Sequence, residues 1–319
     1  MRDSQPIPFR ANDNREAAFT CKSVVETCDR TAAALYRKMK RMAYLLLALL
    51  ICSLTHAQIS SGTVVVFQLV NGKFIIAADS RASNSNGTPP TDTYCKIATL
   101  GEQFVFARTG AGSYESLRLR DLMKTWDARD DLSAALSKNP ISDKVTAEKQ
   151  VTAIADTWAE FMKNDWFRIY LLRPEDVLKL AKKQNGGLTF GIFALAVSGD
   201  IGVTWRRITF TDGIVGSETP PIDVGCIIHP CAAGMTDVVD EYLLRNSKRA
   251  RAETYSASPE VLVGMGKDMV EIIRLVDLTE AFDKSGAVGG SIDALELSLG
   301  GGKRWIQRKN NCPETDYQR

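Results

Sequence analysis

Thr63 stands at the head of a β-branched and aromatic run, Val64-Val65-Val66-Phe67, and follows Gly62. A hydroxyl is a weak nucleophile until a base takes its proton. A free α-amine, with an ordinary pKa of about 7.7–8.0, can be that base when the nucleophile is the first residue of the chain. Such chemistry needs cleavage of the preceding bond, a nearby cation that favours the ionised form, and backbone donors for the oxyanion. Gly62 leaves the bond before Thr63 unhindered, and Asp79 and Lys96 could form an ion pair directed at the start of the strand. Each residue also has a plain structural use: Thr63 as a strand starter, Asp79 as a turn cap, Lys96 as a solvated strand end.

Other chemistries find little support. The chain has 319 residues but only two histidines, and no nucleotide-binding glycine fingerprint, phosphate loop or paired-cysteine zinc motif. No cofactor and no metal are therefore expected. His229, in Ile227-Ile228-His229-Pro230, reads as a strand-end or core residue. A formal net charge of +2 is too small to argue for nucleic acid as a partner.

The elements that must position these residues can be read from periodicity. Thr63–Val70 and Lys73–Ala78, joined at Asn71-Gly72, form a hairpin whose near-continuous apolar character predicts burial on both faces. A polar loop over Ser83–Thr93 and short strands at Cys95–Ala98 and Phe104–Arg108 follow. Helices are predicted over Tyr114–Trp126 and Lys144–Trp166, then strands at Leu188–Val197 and Ile201–Phe210. Asp237–Arg245 and Pro259–Val276 read as helices, and Ile292–Leu297 and Lys303–Gln307 as closing strands. Strands, two helices, strands, two helices, strands predict an α+β fold of two sheet layers flanked by helices.

The first 57 residues differ from the rest. Arg37-Lys38-Met39-Lys40-Arg41 precedes an apolar run from Ala43 to Leu54 and then Thr55-His56-Ala57, the pattern of an export signal cleaved after Ala57. The run falls short of the ~20 residues of a comfortable membrane span, and an uncleaved anchor over 43–57 is the alternative. The residues ahead of it are expected to be an overcalled gene start, with Met39 or Met42 as the true one. Without residues 1–57, 31 basic residues face 33 acidic ones, so the slight basicity belongs to the leader. Export would place Cys95, Cys226, Cys231 and Cys312 where disulfides persist, with the pairing left open among three connectivities.

Gly62-Thr63 and its Val-rich strand, then Phe74-Ile75-Ile76-Ala77-Ala78-Asp79-Ser80-Arg81-Ala82, Lys96-Ile97 and Arg108-Thr109-Gly110-Ala111-Gly112, resemble the proteasome β-subunit family of N-terminal nucleophile hydrolases. The resemblance implies a four-layer αββα sandwich and a threonine-type peptidase or amidohydrolase. Thr63 would be the nucleophile, freed by autolysis of Gly62–Thr63, and Asp79 would orient Lys96. The Gly110 N–H would serve the oxyanion, and Arg81 would be a structural ion-pair partner. Arg108, with Ala82 and Ser83, would line the substrate pocket, and the Arg108 cation would favour acidic side chains. The family's late acid would be Asp283, near Ser285. Departures from the pattern are Ala233 in Ala232-Ala233-Gly234, where the family has a serine, and Asp283 lying two residues before Ser285 instead of three. The rival reading is a non-catalytic module on the same fold. The implied organisation is a leader over 1–57, a propeptide at 58–62, a domain over 63–308 and a polar tail at 309–319. The expected partner is a peptide or protein substrate, with membrane contact only through an uncleaved leader. A homo-oligomer would accord with the family.

Overall fold

The Asn71-Gly72 turn sets the register of the central hairpin. Both residues have positive φ, 50° and 69°, as the tight turn between twisted strands requires. Val70 therefore pairs with Lys73 and Val65 with Ala78, joining β2 (Val64–Val70) to β3 (Lys73–Ala78). The structure is a computed structural model that describes residues 39–40, 42, 57–62, 64–84, 89–116, 125–220, 226, 230–234, 236, 239–240, 267–300, 302–309 and 312. The chain divides into two units, Met1–His56 and Ala57–Arg319, and the strands and helices named here belong to the second.

Two antiparallel sheets are present among the described residues. The five-stranded sheet runs β11-β2-β3-β12-β13, with β11 at Cys231–Gly234, β12 at Asp293–Ser298 and β13 at Gly302–Gln307. The eight-stranded sheet runs β10-β9-β8-β6-β1-β4, and β5 and β7 also pair with β6. Its members are β1 (Ala57–Gly62), β4 (Ala82–Asn84), β5 (Ile97–Leu100), β6 (Phe104–Ser116), β7 (Thr125–Asp127), β8 (Gly187–Val197), β9 (Asp200–Thr211) and β10 (Ile214–Glu218). Four helices are described: α1 (Ala128–Lys138), α2 (Ala147–Leu172), α3 (Pro174–Lys183) and α4 (Lys267–Phe282).

Three apolar cores account for the run Val64–Phe67. Val65 and Phe67 join Phe74 and Ile76 against Val105, Ala107, Ile192 and Ala194 of the other sheet. Val64 and Val66 point the opposite way, with Ile75 and Ala77, into a core shared with Met269, Ile272 and Val276 of α4. Alternation along a strand sends successive side chains to opposite faces, so apolar residues at every position mean a strand covered on both sides. The third core lies between the eight-stranded sheet and α1–α3, where Trp158 and Trp166 of α2 meet Phe106, Phe193 and Trp126.

Several expectations are corrected. The helix expected over Tyr114–Trp126 is replaced at its ends by strand: β6 continues to Ser116, and β7 begins at Thr125. Tyr114 and Trp126, whose spacing fitted a helical stripe, are cross-strand partners. The loop expected from Ser83 begins as the short strand β4. Residues 58–62, expected as a propeptide, lie in a strand: β1 pairs with both β6 and β4. The helix α1 was not anticipated, although Asp127 caps it by accepting from Arg129 N at 2.8 Å. The helix expected to end at Trp166 runs to Leu172, and Pro174 opens α3. The export-signal run at 43–56 and most of the helix expected over 237–245 lie outside the described residues, as does 259–266. Among the described residues no helix is long and apolar enough to cross a membrane.

Disulfides join Cys95 to Cys312 and Cys226 to Cys231. They close loops of very different length, with separations of 217 and 5 residues. On chain entropy alone the first is worth about 5 kcal/mol and the second about 2 kcal/mol. Cys95→Ser/Cys312→Ser should therefore lower the melting temperature well beyond Cys226→Ser/Cys231→Ser; equal shifts in a calorimetric scan would contradict this.

Asp131 on α1 is a second stability lever. Its side chain is buried, accepts from Trp126 Nε1 at 2.8 Å and shares a hydrogen bond with Asp165 of α2. Burial, with the neighbouring carboxyl of Asp165, pushes its pKa up to about 7. Between the unfolded value near 3.8 and this raised value, folding keeps a proton that the unfolded chain has lost, so stability falls as pH rises through that window. Asp131→Asn preserves the geometry without the charge. The variant should melt a few degrees above the parent at pH 8 and together with it near pH 4.

Candidate active site

The side chain of Asp79 follows the last residue of β3 and is 1% exposed. Oδ1 accepts the Val64 N–H at 3.0 Å and meets the Lys96 ammonium. Oδ2 accepts the N–H groups of Arg81 at 3.1 Å and Gly289 at 3.2 Å. Four donors thus surround one buried carboxylate, as a buried charge requires. The carboxylate is also tied to the backbone one residue beyond Thr63. Thr63 itself lies outside the described residues; β1 ends at Gly62 before it and β2 starts at Val64 after it.

Lys96 is 1% exposed and precedes β5. Its backbone carbonyl accepts from Arg108 N at 3.1 Å, fixing its segment against β6. Burial drives its pKa down to about 8, opposed by Asp79 and assisted by the positive charge of Lys309. A lysine so placed gives up its proton far more readily near neutrality than a solvated one, while a counter-charge holds it in position.

Gly110 sits within β6 opposite Gly62 on one side and Thr189 on the other. Its φ is +77°, and a Cβ there would lie 2.5 Å from the Leu188 carbonyl oxygen, so both backbone shape and space demand glycine. On its other edge Gly62 pairs with Ala82, and Ser61 with Ser83. The residues before Thr63 are therefore held as a strand between Gly110–Ala111 and Ala82–Ser83. Ala57, expected at the signal cleavage, is the first residue of that strand and pairs with Ser116.

Arg81 pairs with Asp92 through two bonds, 2.6 and 2.9 Å, and its Nη1 donates to the Val288 carbonyl at 3.2 Å. Arg108 is buried on β6: its guanidinium forms an ion pair with Asp127 at 3.0 Å, donates to the Gly112 carbonyl and the Tyr94 hydroxyl, and stacks on the Tyr94 ring. A substrate carboxylate would have to compete with Asp127 for this charge. Asp283 organises the turn after α4, accepting from Ser285 N and Oγ at 2.8 and 2.6 Å and from Val288 N at 2.7 Å. Burial opposes its ionisation, but these bonds outweigh burial and hold its carboxyl below the usual range. The turn delivers Gly289, which donates to Asp79 and whose carbonyl accepts from Ser80 N and Arg81 N. Asp283 and Ser285 thus connect to Asp79 through the backbone of the turn at Val288–Gly289. Ala233 is buried on β11, paired with Val65, and offers a methyl where a hydroxyl was sought. His229 lies outside the described residues.

Sequence reasoning placed 289–293 in a stretch that resembles the family's second half, but assigned no role to the Gly289 N–H and no partnership to Lys309 and Asp293. The repeated glycines at 289–290 were a usable signal; Lys309, in a polar terminal stretch, gave none.

No protein-family model matches the chain, and no curated protein matches it. Among solved structures, Anbu from Hyphomicrobium sp. strain MC1 is similar at 15% identity and a TM-score of 0.39, over 78% of this chain and 89% of that one. The Anbu (Gly-1) mutant from the same strain is similar at 16% identity and a TM-score of 0.39, over 77% and 87%. At this level the likenesses assign neither family nor activity, and the site stands on its own geometry.

Removing the Lys96 cation would leave Asp79 buried without its direct ion-pair partner. Lys96→Met should cost about 3–5 kcal/mol in denaturant unfolding. Lys73→Met, which breaks the half-exposed pair with Glu296, should cost no more than about 1 kcal/mol. Equal losses would show that Asp79 is less isolated from water than its burial indicates.

Proposed function

We propose that the chain is an N-terminal nucleophile hydrolase of the proteasome β-subunit type, an αββα sandwich that becomes a threonine-type peptidase when the Gly62–Thr63 bond is cut. The observation that carries this reading is the Asp79 carboxylate, which holds the Lys96 ammonium with the same oxygen that accepts the Val64 N–H, next to Thr63. The three apolar cores accord with two sheets packed face to face and covered by helices on both outer faces.

Before cleavage the nitrogen of Thr63 is an amide and cannot act as a base. Lys96, whose proton affinity burial has lowered, is then the basic group at hand for the Thr63 hydroxyl. Attack of that hydroxyl on the Gly62 carbonyl, followed by water, would free the α-amine, which then becomes the base for substrate turnover. The Gly110 N–H is assigned to the oxyanion. The space of β1, between β6 and β4, is where an extended peptide would pair once the leader strand has left. Two disulfides support an exported protein, in keeping with the apolar run at 43–54.

Ala233 favours a second reading, the same fold without turnover. Intact mass of the purified protein separates the two. The peptidase reading expects a mature chain beginning at Thr63 in the parent and a retained Gln58–Gly62 propeptide in Thr63→Ala. A parent protein that keeps Gln58–Gly62 indefinitely, and cleaves no member of a fluorogenic peptide panel, would leave the scaffold.

A further inference from the structure

A second buried ion pair lies beside the first. Asp293 opens β12 opposite Ala78, one residue before Asp79, so the two carboxylates rise from neighbouring strands. Asp293 Oδ2 meets Lys309 Nζ at 3.0 Å, and Oδ1 accepts the Lys309 N–H at 2.9 Å. Both side chains are buried, at 5% and 1% exposure. The Lys309 ammonium also donates to the Tyr94 carbonyl at 2.9 Å.

Three consecutive residues are thereby committed to one small region. Tyr94 is held by Lys309, Cys95 is bonded to Cys312, and Lys96 meets Asp79. Cys312 is bonded to the residues just after β13: its N–H donates to the Lys309 carbonyl at 3.3 Å, and Arg308 Nη2 donates to the Cys312 carbonyl at 2.8 Å. The region supposed to be a polar tail is, at Lys309 and Cys312, built into the wall of the site.

We propose that Lys309 is a positioning residue for the Asp79–Lys96 pair, and that the Cys95–Cys312 disulfide latches it there, so that the state of the pair depends on the state of the bond. The role assigned to Lys96 in catalysis rests on the function proposed above; the latch itself does not. With the bond closed, a fixed positive charge sits near the Lys96 ammonium and the tail helps exclude water from it. The charged groups around Lys96 are Asp79 just after β3, Asp293 of β12 and Lys309, with Asp92 and its partner Arg81 beyond. Opening the bond takes two electrons and two protons from a dithiol: the sulfur–sulfur bond breaks, two thiols form, and the dithiol closes to its own disulfide. The tail is then free to leave, taking the Lys309 charge and admitting water, and both changes favour the protonated form of Lys96.

The test follows the 13Cε resonance of Lys96, assigned by its loss in Lys96→Met, across a pH titration of the full chain carrying labelled lysine. Its midpoint is expected to rise by at least roughly half a pH unit, a threefold gain in proton affinity, in Cys95→Ser/Cys312→Ser and in the dithiol-reduced protein. Lys309→Met keeps the disulfide and Asp293 and removes only the positive charge near Lys96, so it reports even if the opened chains fail to fold; it too should shift the midpoint upward. Cys226→Ser/Cys231→Ser should leave the midpoint in place. An unchanged Lys96 midpoint in folded Lys309→Met would overturn the proposal. A shifted midpoint with no self-cleavage in any chain, the parent included, would support the latch and remove the peptidase reading.

Discussion

A single buried carboxylate fixes the geometry on which the rest of the site depends. Asp79 accepts from Lys96, Val64, Arg81 and Gly289. These donors come from the segment before β5, the start of β2, the bend after β3 and the turn before β12. A charge taken out of water at this depth is tolerable only if all its partners are in place together. The carboxylate therefore holds four chain segments in one arrangement, and loosening any of them alters the surroundings of Lys96.

The hairpin makes that arrangement stiff. Val64–Phe67 is buried on both faces, so β2 can neither slip nor twist without exposing one core or the other. The Val64 N–H that Asp79 holds is the first amide of this strand, and its position follows from packing far from the site. Gly110, on the opposite sheet, is fixed by a backbone conformation that a side chain would not fit.

How much of this is legible in the sequence depends on where the information sits. The hairpin is legible because its signal is local: an Asn-Gly turn between two apolar runs. Asp79 and Lys96 are legible as a pair because their types recur in the resembled pattern, Lys96 one residue late through a single insertion in the Ser83–Thr93 loop. Tyr114 and Trp126 mislead because cross-strand partners close in sequence can mimic a helical stripe. Arg108 could be placed in sequence but its partner could not, since Asp127 meets it only through the pairing of β6 with β7. Lys309 was invisible: a lysine in a polar terminal stretch gives no sign of burial, and its partner Asp293 reaches it only through the register of β12 and the closing disulfide.

The strand before Thr63 has a further consequence of its own. While the chain is continuous, β1 is tethered beside β6 and β4, and its pairing is intramolecular. Cutting the backbone at its end changes no hydrogen bond in that strand, but converts it from a part of the fold into a bound ligand with a dissociation rate. A signal peptidase cut after Ala57 would leave only five residues to hold on, each pairing in an antiparallel ladder. Under the proposed cleavage, maturation would have two clocks, one set by bond cleavage and one by the departure of the strand, and occupancy of the cleft would persist until the second had run.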